Sequence, residues 1–156
     1  MTQEEKRLWA IAIGNFIIEF GAIESLVTEV VRRSFAAAHF DVLRRLPFER
    51  RASLTFASLQ ALHPALFQSL ESDFKLLDAI RIRRNIIAHS GFTVSVYTND
   101  DQTEFRLEFG MSDAHKKNAV FLQIQHLESD TDVLKMIYSR LLPLISSGME
   151  VSAVGS

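Results

Sequence analysis

The stretch Pro64–Gly91, PALFQSLESDFKLLDAIRIRRNIIAHSG, decides how the rest of the chain can be arranged. Between Ala65 and His89 its apolar residues recur at the spacing of an α-helix. At about 100° per residue, one face of this helix carries Leu66, Leu70, Leu76, Leu77, Ile80, Ile87 and Ala88. The sequence therefore predicts a long helix that begins near Pro64 and buries this face.

Arg84 falls in the middle of that apolar face, close to Leu77 and Ile80. One interpretation is structural: the stem lies along the core and the guanidinium pairs with a carboxylate such as Glu19 or Glu24. The other is functional, because arginine keeps its charge and presents a planar fork that suits phosphate. The helical pattern alone leaves both interpretations open.

His89 closes the predicted helix and lies about 140° further round than Arg84, on the side of Asn85. Histidine can exchange a proton near neutral pH, which suits acid–base chemistry. A histidine just before Ser90-Gly91 can also serve as a C-terminal capping residue that interacts with the helix dipole. Both roles are compatible with the position.

A second apolar side of the same helix carries Ile82 and Ile86. One helix with two apolar sides predicts two contacts, one with the core of its own chain and one with a second copy. We therefore expect a homodimer whose interface includes Ile82 or Ile86.

The string Arg84-Asn85-Ile86-Ile87-Ala88-His89, followed by Ser90-Gly91, resembles the Arg-x4-6-His signature of the HEPN superfamily. The segment Phe20–Leu26 resembles the Phe-Gly-x-hydrophobic-Glu pattern in the first long helix of such domains. The resemblance covers roughly residues 5–147. It implies a helical, usually dimeric domain, and many members are metal-independent endoribonucleases that act as toxins or defence effectors.

The resemblance also implies roles for particular residues. His89 would move the proton when a ribose 2′-hydroxyl attacks the adjacent phosphate, and Arg84 would stabilise charge on the phosphoryl oxygens. Asn85 would position the backbone or the phosphate, and Glu24 would orient Arg84. No metal and no cofactor is expected.

Other members of the superfamily have lost activity, so a noncatalytic module that binds a nucleotide, RNA or a protein is the alternative function. A structural helical protein with Arg84 in a buried ion pair is the third. Where the enzyme interpretation holds, RNA is the substrate, and an antitoxin or regulatory protein is a candidate partner.

Charge is uneven along the chain. Residues 1–90 contain 12 basic and 10 acidic residues, whereas residues 91–156 contain 5 and 9. Proteins that bind nucleic acid through bulk charge are more basic than this, so any RNA contact should be local. Arg81 and Arg83 are the predicted RNA contacts. The doublets Arg32-Arg33 and Arg44-Arg45 are interpreted as solvated helix faces.

Length and composition fit one domain over residues 1–147 with a frayed tail over residues 148–156. The 156 residues are 47% apolar and contain no cysteine, which excludes a disulfide framework and a thiolate metal site. The uncharged run Leu8–Ile18 is too short for a membrane span. The prediction is a cytoplasmic protein with no membrane partner.

The expected fold class is mainly α, a HEPN-like up-and-down bundle of about four main helices with a small β-hairpin insertion after the third helix. The first helix is predicted from Thr2 to Ala38, and the second from Pro47 to the His63-Pro64 break. The last helix is predicted to begin at Ser129 or Asp130 and to end near Ile145.

Alternation of apolar and polar residues after the third helix predicts the strands. The three expected strands contain, in order, Phe92, Val94 and Val96; Phe105, Leu107 and Phe109; and Val120, Leu122 and Ile124.

Overall fold

The computed structural model describes residues 2–89, 92–98, 105–111 and 120–146, and within these ranges the side chains of residues 2–37, 39–88 and 122–146. The described helices are α1 (Gln3–Ser34), α2 (Ala37–Leu43), α3 (Phe48–Leu62), α4 (Pro64–His89) and α5 (Ile124–Ser146). The predicted mainly α class is confirmed.

Three strands lie between α4 and α5 in sequence: β1 (Phe92–Thr98), β2 (Phe105–Met111) and β3 (Val120–Leu122). They form an antiparallel sheet in the order β1-β2-β3. In its register Val94 lies opposite Phe109, and Phe109 lies opposite Leu122.

The chain divides into two compact units. Helices α1, α4 and α5 each contribute residues to both units. Unit 1 comprises Met1–Ile18 and Ala79–Asp132, and unit 2 comprises Glu19–Asp78 and Val133–Ser156. The buried apolar residues of unit 1 are Ala12, Phe16, Ile80, Leu122 and Leu127. Those of unit 2 are Phe20, Ile23, Leu26, Val27, Val30, Val31, Leu59, Leu70, Phe74, Leu77, Leu134, Ile137, Leu141 and Leu144.

Helix α1 begins with a capping box formed by Thr2 and Glu5. The backbone N–H of Thr2 donates to Oε2 of Glu5 at 2.5 Å, and the backbone N–H of Glu5 donates to Oγ1 of Thr2 at 3.2 Å. The hydrogen bond from the Thr2 backbone lowers the pKa of the Glu5 carboxyl. Arg32 and Arg33 in the last turn complement the other end of the helix dipole.

Helix α1 is also, among the described residues, the one helix long and apolar enough to cross a membrane. Phe16, Ile23 and Val27 on this helix are nevertheless fully buried in the protein. Core helices of soluble proteins meet the same length and composition test. The predicted location in the cytoplasm stays a prediction.

Two predicted helix boundaries were wrong. The predicted first helix is two helices, because α1 ends at Ser34 and α2 begins at Ala37. Alanine favours a helix locally, but tertiary contacts can override this local preference and end the helix. One such contact lies at the end of α1, where Nη1 of Arg33 donates to the carbonyl oxygen of Ile145 at 2.5 Å.

The last helix begins at Ile124, earlier than the predicted Ser129 or Asp130, and β3 ends at Leu122. Leu127, Asp130 and Leu134 are all buried along this helix, at spacings of three and four residues. The helical period therefore already includes Ile124. The alternation of apolar and polar residues had wrongly indicated a strand there. Asp130 is an interior helical residue and not a cap.

Candidate functional site

The predicted catalytic pair occupies the last turns of α4, in unit 1. His89 is the final residue of the helix, and its side chain lies outside the described residues. His89 lies five positions after Arg84, which corresponds to an axial rise of about 7.5 Å and a rotation of about 140° along an α-helix. On one helix the two side chains therefore leave the axis in different directions.

Arg84 is half-buried and continues the apolar stripe of α4, four residues after the buried Ile80. Its Nη1 donates to Oδ1 of Asn85 at 3.3 Å, so the structure brings these two predicted site residues together. The hydrogen bond orients the amide oxygen of Asn85 toward the guanidinium. Arg84 is thus partly accessible to solvent, although it occupies a position of the apolar stripe where a core residue would be expected.

Arg83, a predicted RNA contact, has an internal partner. Its Nη2 donates to Oδ1 of Asp130 at 2.5 Å, and its Nε donates to the other carboxylate oxygen. The Asp130 side chain is 9% exposed and the Arg83 side chain 31% exposed. This bidentate pair fastens α4 to α5 within unit 1. RNA binding by Arg83 would have to compete with Asp130.

Glu24, predicted to orient Arg84, lies in unit 2 and binds a different arginine. Its Oε1 accepts a hydrogen bond from Nη2 of Arg51 at 2.5 Å. Arg51 also donates through Nη1 to the hydroxyl of Thr28 and through Nε to the carbonyl oxygen of Leu46 at 3.1 Å. Three acceptors surround this buried guanidinium, as a buried arginine requires. The support of Arg84 by Glu24 stays a prediction.

The remaining predicted residues on this part of α4 differ in exposure. Arg81 and Ile86 are half-buried, whereas Ile82 is 46% exposed. Single exposed apolar residues are common on protein surfaces, so this exposure is compatible with the predicted dimer contact and does not test it. The predicted second apolar side is therefore accessible at Ile82.

Sequence reasoning missed the most buried charge of α4, which is Asp73. Its side chain is 5% exposed, and its Oδ2 lies 2.6 Å from Nη1 of Arg140 on α5. Nη2 of Arg140 also donates to the carbonyl oxygen of Ser69 at 2.8 Å. Asp73 lies between Leu70 and Leu77 on the apolar face, so the same wheel that singled out Arg84 could have found it. In contrast, Leu76, which was predicted to be on this face, is 45% exposed.

Unit 2 also contains a small apolar pocket. Arg33 at its edge is held by Glu29, whose Oε1 accepts a hydrogen bond from Nε at 2.8 Å, and by the carbonyl oxygen of Ile145. The lining residues are Val30, Arg33, Ser34, Ser58, Leu59, Leu62, His63, Leu144 and Ile145. Its lining is mainly apolar, and its arginine already has two acceptors.

Within the described residues, no three histidine, aspartate or glutamate side chains come together as metal ligands would. The arginine and amide at the end of α4 can donate hydrogen bonds to an anionic oxygen. No protein-family model matches the chain, and no curated protein and no solved structure is significantly similar to it.

Proposed function

We propose that this protein is a metal-independent endoribonuclease with a HEPN-like helical domain, which acts as a homodimer in toxin activity or defence. The observation that carries the proposal is the setting of Arg84. It occupies a position in the apolar stripe of α4, remains half-accessible, and donates to Asn85 at 3.3 Å. The planar fork of a guanidinium fits an RNA phosphate, and the accessible part of Arg84 can present it.

The proposed reaction is transesterification within the RNA. The ribose 2′-oxygen forms a bond to the adjacent phosphorus, and the bond from phosphorus to the 5′-oxygen of the next nucleotide breaks. The proton of the 2′-hydroxyl leaves and a proton reaches the departing 5′-oxygen, a transfer suited to the imidazole of His89. Arg84 stabilises the extra negative charge on the phosphoryl oxygens, which is where such donors act most strongly.

The geometry of one helix supports the proposed dimer. Arg84 and His89 leave α4 about 140° apart, so a single helix presents them in different directions. Two copies that meet near Ile82 would place an Arg84 and a His89 from different chains at one cleft. The 46% exposure of Ile82 leaves that residue free to contact the second copy.

The test is RNA cleavage in EDTA by the purified protein and by His89→Ala. We expect the wild type to cut RNA without divalent ions, to leave 2′,3′-cyclic phosphate or its hydrolysis product, and to vary in rate between about pH 5 and 8. His89→Ala should fold and fail to cleave. Activity that requires a divalent ion, or equal activity in His89→Ala, would contradict the mechanism.

A noncatalytic module is the second candidate, and the Arg83–Asp130 pair favours it. That pair engages one of the predicted RNA contacts, and the net charge of −2 provides little general attraction for RNA. In that case the protein would bind RNA or a nucleotide through Arg84 and release no cleaved product. Binding by wild type that Arg84→Ala abolishes, with no cleavage under any condition, would establish it.

A further inference from the structure

The turn between α2 and α3 carries three outward arginines within seven residues. We call Arg44, Arg45 and Arg50 the arginine turn; all three are exposed. Arg44 has a neighbouring carboxylate, with 2.9 Å between its Nε and Oδ1 of Asp41. For Arg45 and Arg50 no acceptor lies among the described residues.

Two contacts with the interior of the protein hold the backbone of the turn in place. Nε of Arg51 donates to the carbonyl oxygen of Leu46 at 3.1 Å, and the same guanidinium is held by Glu24. On the other side the ring of Phe48 packs edge-on against Phe20, with 5.0 Å between centroids. The neighbouring arginines Arg50 and Arg51 thus point to different environments, solvent and core.

The turn itself is closed by backbone hydrogen bonds. The N–H of Arg45 donates to the carbonyl oxygen of Val42 at 3.2 Å, and the N–H of Arg50 donates to that of Pro47 at 3.0 Å. A surface held in this way loses little backbone freedom when it binds, so it needs fewer contacts to bind measurably.

Resting on the proposed function, we propose that the arginine turn is a second RNA contact, which holds backbone phosphates in addition to those at the Arg84 motif. Guanidinium forks bind phosphate oxygens in bidentate fashion, and Arg45 and Arg50, which meet no acceptor within the described part of the chain, can present theirs to a ligand. Glu49 and Asp41 offset part of the charge, so the contact is local, as the net charge of −2 requires.

Contact with phosphates and not with bases follows from the aromatic residues nearby. Phe40 and Phe48 are half-buried, and the ring of Phe48 is packed against Phe20, which leaves little aromatic surface for base stacking at Phe48. Binding through the turn should therefore depend strongly on salt and little on base sequence.

The experiment compares two double variants in a His89→Ala background, which prevents loss of the probe by cleavage. Arg45→Gln with Arg50→Gln removes two charges from the turn. Arg7→Gln with Lys75→Gln removes two exposed charges elsewhere, each of which has a carboxylate partner on its own helix. Fluorescence anisotropy of a labelled oligouridylate of about 20 nucleotides measures Kd from low to moderate salt, and thermal melts verify folding.

We expect the turn variant to bind about tenfold more weakly and to lower the slope of log K against log salt by about 1.4, the value for two lost phosphate contacts on a single strand. The control should match the parent protein, and an oligomer of mixed sequence should behave like oligouridylate. Equal weakening in both variants, or no weakening in the turn variant, would overturn the proposal. So would tighter binding of a polyglutamate peptide than of RNA, which would assign the turn to an acidic protein.

Failure of this proposal and failure of the proposed function give different results. If the turn variant binds RNA normally and the protein with His89 intact cleaves RNA in EDTA, only the second contact is refuted. If the parent protein binds no RNA and the protein with His89 intact cleaves none, both proposals fall together.

Discussion

Asp73 and Arg84 lie on the same stripe of α4, about three turns apart, and their surroundings differ. Asp73 is 5% exposed at its side chain and forms an ion pair with Arg140 at 2.6 Å, although its buried Oδ2 accepts no hydrogen bond from the described residues. Arg84 follows the buried Ile80 and is half-buried, with the amide of Asn85 beside it. Of these two charges on the apolar face of α4, only Arg84 is accessible enough to meet a ligand.

The largest effect on stability should follow from disrupting the ion pair of Asp73, the more buried of the two charges. Arg140→Ala leaves the Asp73 carboxylate buried without its ion pair, and we expect a loss of about 3 kcal/mol of unfolding free energy. Asp73→Leu in the same protein should restore much of that loss, because leucine fits an apolar stripe. Urea unfolding of the single and double variants measures both values. An Arg140→Ala protein as stable as wild type would show that Asp73 does not depend on the pair.

The arginines Arg50 and Arg51 repeat the comparison at neighbouring positions. Arg51→Met removes the donor shared by Glu24, Thr28 and Leu46, and should cost about 2 kcal/mol. Arg50→Met changes an exposed side chain and should alter stability by less than about 0.5 kcal/mol. Chemical denaturation of the two variants gives the difference in their unfolding free energies. Equal losses would mean that the buried hydrogen bonds of Arg51 contribute no more stability than the exposed side chain of Arg50.

Ile82 extends the comparison to the exposed side of α4. Ile82→Asp should preserve the monomer fold, because the residue is 46% exposed, and should weaken the dimer at least about tenfold if the residue is buried between copies. Val42→Asp, at a residue 67% exposed on α2, is the matched control. Light scattering over a range of concentrations reports the association state. A wild-type protein that is monomeric at micromolar concentration would contradict the dimer itself.

The smallest effect concerns a solvated charge, Glu29. Hydrogen bonds from Arg32 above all, and then from Arg33, lower the pKa of Glu29 to about 2 from its ordinary 4.5, against an opposing effect of burial. A carboxyl with a lowered pKa contributes stability above its ordinary value, and that contribution is lost as the pH falls toward 2. Glu29→Gln should therefore cost less than about 1 kcal/mol at pH 7 and nothing near pH 2. Melting curves of both proteins from pH 7 to pH 2 test this, and a gap that persists at the lowest pH would assign the effect to packing.

Much of the helical fold could be predicted from residue spacing and from the position of proline. Helix α4 begins at Pro64 and ends at His89 as the apolar period indicated, and α3 ends just before the His63-Pro64 break. Contacts distant in sequence, such as Arg33 with Ile145, determine features that local patterns cannot contain. The start of α5 could have been predicted from the sequence, because Ile124 and Leu127 already follow the helical period.

The candidate site was predictable to a smaller extent. The stripe identified Arg84 as an unusual arginine, and its role together with Asn85 stays a prediction. The pairing of Arg83 with Asp130 and of Glu24 with Arg51 could not be deduced, because ion pairs between helices depend on which helices meet. Charge alone does not determine a partner when many arginines and carboxylates are available.

The most direct test of the central claim measures thermal stability and RNA cleavage on the same preparation of Arg84→Lys. Lysine keeps the positive charge and loses the planar fork, so a group that stabilises a phosphoryl transition state should be impaired while the fold is not. We predict a melting temperature close to that of wild type and a cleavage rate in EDTA at least about a hundredfold lower. Wild-type cleavage by a well-folded Arg84→Lys or Arg84→Ala protein would contradict the account and remove Arg84 from the mechanism.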